Sequence, residues 1–113
     1  MQKAAPWGVH VAVDVEATGS PFEASTNGPA FHALAASAQE AYGRPMTSLG
    51  QGGSIPLCNV FQETYPNAEI ILMGVEEPQA LIHAPNESVA PSEIENMALT
   101  EALFLARYGA STV

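Results

Sequence analysis

The chain has 113 residues, enough for one compact domain or a piece of a larger one. Apolar residues make up 47% of it and charged residues only 13%, below the quarter or so that a free-standing small domain carries. That shortage fits either a surface awaiting a partner or an ordinary domain with a Ser/Thr/Asn-rich exterior. The net charge is −9, and the only basic side chains are Lys3, Arg44 and Arg107. Phosphate backbones and anionic membrane surfaces are held by several Lys or Arg at once, so composition argues against nucleic acid and membrane partners. Cys58 is the single cysteine, so no intrachain disulfide can form, which is compatible with a reducing compartment. The N-terminus lacks the apolar core of a signal peptide, and no apolar run reaches the ~18 residues that span a bilayer. The simplest expected location is the cytoplasm.

In chain order, Val9, Val11, Val13 and Val15 alternate with His10, Ala12, Asp14 and Glu16. Period two with β-branched residues on one face predicts a half-buried strand. Residues 19–29 turn to Gly, Ser, Pro, Thr and Asn, which is loop chemistry and the best junction between two structural units. A helix is predicted from Pro29, with Phe31, Leu34, Ala35, Ala38 and Tyr42 as its apolar stripe and Gly43 as its left-handed stop. Residues 46–49 read as a short strand running into Gly50-Gln51-Gly52-Gly53-Ser54. Ser54 can cap a second helix with Pro56 in its first turn, burying Ile55, Leu57, Cys58, Phe61 and Tyr65. Glu69 to Gly74 is a short apolar run typical of a strand covered on both faces. An irregular stretch over 75–90 leads to a last helix from Pro91, with Ile94, Met97, Ala98, Glu101, Ala102, Leu105 and Tyr108 on one stripe and Gly109 as its end. Alternating strands and helices predict an α/β layered architecture.

Two stretches could carry chemistry. The glycines of Gly50-Gln51-Gly52-Gly53-Ser54-Ile55-Pro56 precede a helix N-terminus, where exposed N–H groups and the helix dipole favour a carboxylate or phosphate. The same glycines would equally serve a tight strand-to-helix turn. In Ile82-His83-Ala84-Pro85-Asn86-Glu87, His83 follows a buried strand, and in α/β proteins ligands gather on such loops. A lone histidine is more often structural, and a zinc site needs three or four ligands, which no spacing here supplies. His10 and His32 read as structural, and Cys58 as a buried inert thiol.

The two motifs taken in order resemble the C-terminal region of the dinuclear-zinc exopeptidases. That family includes carnosinase-like dipeptidases, succinyl-diaminopimelate desuccinylase, aminoacylase and carboxypeptidase G. The Ala5-Pro6-Trp7-Gly8-Val9 start and Ala41-Tyr42-Gly43 look like the dipeptidase branch. The resemblance implies that residues 1–28 hold the end of a lid domain that mediates dimerisation, with the Val9–Val15 segment as its last strand, and the return loop that follows it. It implies that residues 29–113 form the C-terminal part of the zinc-peptidase α/β catalytic domain. His83 maps onto the family's last zinc ligand. Gly52, Gly53 and Ser54 map onto the loop that binds the substrate's terminal carboxylate or a nearby carbonyl; members often have Glu where this chain has Gln51. The expected substrate is a small peptide or N-acyl amino acid, the expected cofactor zinc, and the expected assembly a homo-oligomer. The family's other metal ligands, its bridging aspartate and its general-base glutamate lie upstream in full-length members and have no counterpart here; Glu76-Glu77 falls at the wrong place in the order. The chain therefore reads as a fragment, inactive by itself and without tightly bound metal. The rival expectation is a complete non-catalytic module that binds an anion or self-assembles.

Overall fold

The computed structural model describes residues 2–16, 18–50 and 55–111. After two 3-10 turns at Gln2–Ala4 and Pro6–Gly8, it contains three helices: α1 (Pro29–Tyr42), α2 (Pro56–Thr64) and α3 (Pro91–Ser111). Each α-helix opens on a proline, whose fixed φ suits the first turn and whose missing N–H is not needed there.

The helices follow the sequence pattern, with local exceptions. Helix α1 stops where predicted: Gly43 takes φ 70, and its N–H bonds to the Gln39 carbonyl at 2.9 Å. A side chain at that φ would be strained, so glycine ends the helix cheaply. Helix α3 runs through Gly109 to Ser111 instead of ending there, which lengthens it beyond the predicted stop.

The expected α/β architecture is not found. The described residues contain helices and no strand or sheet, so neither an α/β catalytic layer nor a last lid strand is present among them. The physical reason is the missing partner. A strand exists through ladder hydrogen bonds to a neighbour, and its period or apolarity shows only that it could be buried. Among the described residues, Val9 bonds back to the Pro6 carbonyl at 3.2 Å, and residues 10–15 and 69–74 make no backbone–backbone hydrogen bond. All four valines of the alternating segment are exposed, and so are Leu72 and Met73. Residues 46–49 are likewise without regular structure.

What core there is lies between α1 and α3, which pack on one another. It is built from small side chains. Ala30, Leu34, Ser37 and Ala38 are buried on α1, and Thr100 is fully buried on α3. The inward stripe of α3 is Glu93, Met97, Thr100, Phe104 and Arg107, whereas Ile94 and Leu105 of the predicted stripe face outward. Polar residues are tolerated inside because each has a partner. Thr100 Oγ1 donates to the Asn96 carbonyl and Ser37 Oγ to the Ala33 carbonyl, both at 2.8 Å. Arg107 donates to Ser37 Oγ at 2.9 Å and pairs with Glu40.

Helix α2 buries only Cys58, at 2% exposure; Ile55, Leu57, Phe61 and Tyr65, expected inside, are exposed. The radius of gyration is 19.0 Å, against about 13 Å for a compact chain of this length. The accessible surface of 9208 Å² is roughly half as much again as a compact monomer of this mass presents. The apolar residues that composition counted as core thus remain largely on the outside.

Candidate functional site

The His83 loop is a run of tight turns. The Ala80 N–H bonds to the Glu77 carbonyl at 2.9 Å, that of Ala84 to Leu81 at 2.8 Å, and that of Glu87 to Ala84 at 3.2 Å. Ser88 N–H then returns to the Ala80 carbonyl at 2.9 Å and closes the loop on a residue only 2% exposed. Gln79 N–H adds a bond to the Glu77 carboxylate at 2.9 Å.

Three residues of this loop have positive φ: Leu81 at 55, His83 at 62 and Asn86 at 63. His83 is the third residue of the Leu81–Ala84 turn, and Asn86 the third of the Ala84–Glu87 turn, which has Pro85 second. Positive φ at that position is the mark of a type II turn, which favours glycine or asparagine there. Asn86 suits its place; His83 occupies one that glycine would fill without strain. Its side chain is exposed and makes no hydrogen bond among the described residues.

Zinc takes three or four protein ligands. Among the described residues no group of three or more His, Cys, Asp or Glu could hold a metal. His83 fits as one ligand, but the described residues do not make a zinc site. His10 and Cys58 are not brought to it: His10 is exposed in the unpaired valine segment and Cys58 is the buried residue of α2. His32 lies on α1 with its ring edge-on to Phe31.

The glycine-loop residues Gly52, Gly53 and Ser54, with Gln51, lie outside the described residues. Ile55, just before α2, has φ −104 and ψ 99 and gives no side-chain cap.

A cleft of about 290 Å³ opens between α1 and α3, lined by Ala30, Leu34, Glu69, Ile71, Met73, Glu101 and Phe104. It holds no imidazole, and one of its carboxylates is already engaged. Glu69 accepts the N–H groups of Ala30 and Phe31, each at 2.9 Å, and so caps α1. That cap satisfies the helix donors and sets a negative charge at the positive end of the dipole. Sequence reasoning missed it, because nothing local links residues 69 and 30. At the other end of α1, burial first, then the nearby Glu93 charge and its capacity to accept a hydrogen bond, push the Tyr42 phenol above its ordinary value, opposed by Arg44.

No helix among the described residues is long and apolar enough to cross a membrane. No family model matches the chain, and no solved structure matches it. The chain is similar to a cysteinylglycine-S-conjugate dipeptidase of Corynebacterium striatum, at 46% identity over 106 residues. The match covers 93% of this chain and 23% of that protein, so the chain spans less than a quarter of its relative's length. It supports a dipeptidase family and does not reach the specific members expected, the carnosinase-like dipeptidases, desuccinylase, aminoacylase and carboxypeptidase G. An identity of 46% across nearly the whole chain supports a dipeptidase family for this sequence.

Proposed function

We propose that this chain is a segment of a zinc-dependent dipeptidase that hydrolyses a peptide or amide bond near a free carboxylate, in a small peptide or N-acyl amino acid. The observation that carries the proposal is the 46% identity to a dipeptidase over 93% of the chain. In this reading the segment contributes the His83 imidazole as a metal ligand, and Gly52, Gly53 and Ser54 as the substrate-carboxylate loop. The remaining ligands and the general base come from residues outside it. The 113-residue chain is then inactive on its own, because one imidazole falls short of the ligand set that zinc requires. Exposure of His83, with no hydrogen-bond partner among the described residues, supports an imidazole kept for an external contact.

The second part of the proposal is association. An excess surface on the order of 3,000 Å² per chain exceeds the roughly 800 Å² per partner of a standard interface. It favours packing against a larger body of the same enzyme, and self-association when that body is absent. Zinc analysis and dipeptide hydrolysis on the isolated chain test the reading. Tight zinc with hydrolysis that disappears in His83→Ala would overturn the claim that the segment is incomplete.

A further inference from the structure

We propose that Asn86 is a positioning residue for His83, acting through its backbone conformation and not through its carboxamide. The inference deepens the reading of His83 as a ligand and rests on that reading for its functional meaning.

The two turns of the loop share one residue. Ala84 closes the His83 turn with its N–H, which bonds to the Leu81 carbonyl at 2.8 Å. Its own carbonyl accepts from Glu87 N–H at 3.2 Å and so closes the Asn86 turn. The peptide units on either side of Ala84 are therefore held from both ends. If Asn86 left φ 63, the Glu87 bond would break and the carbonyl of Ala84 would be released. The Ser88–Ala80 closure, two residues after Asn86, would lose its register as well. His83, adjacent to Ala84, would then no longer be held in its left-handed turn.

The Asn86 side chain takes no part in this. It is exposed, and it makes no hydrogen bond among the described residues. Asparagine is one of the few residues besides glycine that adopt left-handed φ readily, and Pro85 presets the preceding position of the turn. A β-branched residue at 86 would resist that conformation.

The test compares Asn86→Gly, Asn86→Val and the milder Asn86→Ala in the full 113-residue chain by NMR. Two quantities are read: amide exchange at Ala84, Glu87 and Ser88, and the Cα shift of His83, which reports its left-handed backbone. Far-UV circular dichroism verifies that the helices persist. Asn86→Gly should leave both quantities as in the parent. Asn86→Val should speed exchange roughly tenfold and move the His83 shift toward its unstructured value, with Asn86→Ala between them. Loss of both signatures in Asn86→Gly would overturn the proposal in favour of the carboxamide. Full retention in Asn86→Val, or in Asn86→Ala if the valine variant unfolds, would overturn it outright. Zinc plays no part in this readout. A failure of His83 as a metal ligand would show as undiminished activity of His83→Ala in a full-length dipeptidase carrying this segment, and would leave the positioning result standing.

Discussion

The carboxylate of Glu69 occupies the space that a side chain on Gly28 would need: a Cβ built there would overlap Glu69 Cδ. The same carboxylate accepts the Ala30 and Phe31 N–H groups. A side chain at Gly28 would therefore have to displace the Glu69 carboxylate from its cap on α1.

Gly28→Ala should displace the Glu69 carboxylate and destabilise the chain by about 1–2 kcal/mol, in the range of a lost helix cap. Glu69→Ala should cost a similar amount, since it removes the same two bonds. The double variant should cost little more than either single one, because the two residues form one arrangement. Urea titration of helix content checks this, and simple additivity would contradict it.

Tyr42 predicts sensitivity to alkali. Its folded-state pKa is raised above the unfolded value of 10.0. The unfolded chain then loses this proton first as pH rises. The stabilisation is complete below the unfolded pKa and is lost as pH climbs through the folded one. Thermal unfolding should show a fall in stability above pH 10 that Tyr42→Phe flattens. An unchanged profile in that variant would count against the raised Tyr42 pKa.

The α1–α3 interface separates packing from charge. Ser37 and Thr100 are fully buried where the helices meet. Ser37→Leu should overpack this contact and cost about 1–3 kcal/mol. Glu40→Gln weakens the Glu40–Arg107 pair, whose side chains are 54% and 37% exposed, and should cost under about 1 kcal/mol. Equal losses by calorimetry would contradict the account.

The exposed valine segment and the outer face of α2 predict self-association of the isolated chain. Light scattering at high concentration should show dimers or larger species. Val11→Lys with Val13→Lys should shift the population toward monomer, because charges on such a surface oppose pairing. A monodisperse monomer in the parent would contradict this expectation.

The helices were legible in the sequence because their signals are local. Pro29, Pro56 and Pro91 mark starts, and Gly43 marks a stop through its own backbone. The strands were not, because Val9, Val11, Val13, Val15 and the Glu69–Gly74 run describe a capacity for burial. Among the described residues no neighbour pairs with them. The α3 stripe was misjudged for a related reason. Hydrophobicity favoured Ile94 and Leu105, whereas Thr100 and Arg107 turn inward because Asn96, Ser37 and Glu40 satisfy them. At the candidate site, Pro85-Asn86 is a readable type II turn, but the left-handed His83 beside it appears only in the structure.

The most direct test of the central claim is a chimera in which this chain replaces the matching segment of the Corynebacterium striatum dipeptidase. The account predicts that the chimera hydrolyses a dipeptide and that His83→Ala lowers kcat/KM at least about a hundredfold, as expected for a lost metal ligand whose absence disturbs both binding and chemistry. A His83→Ala chimera as active as its parent would contradict it.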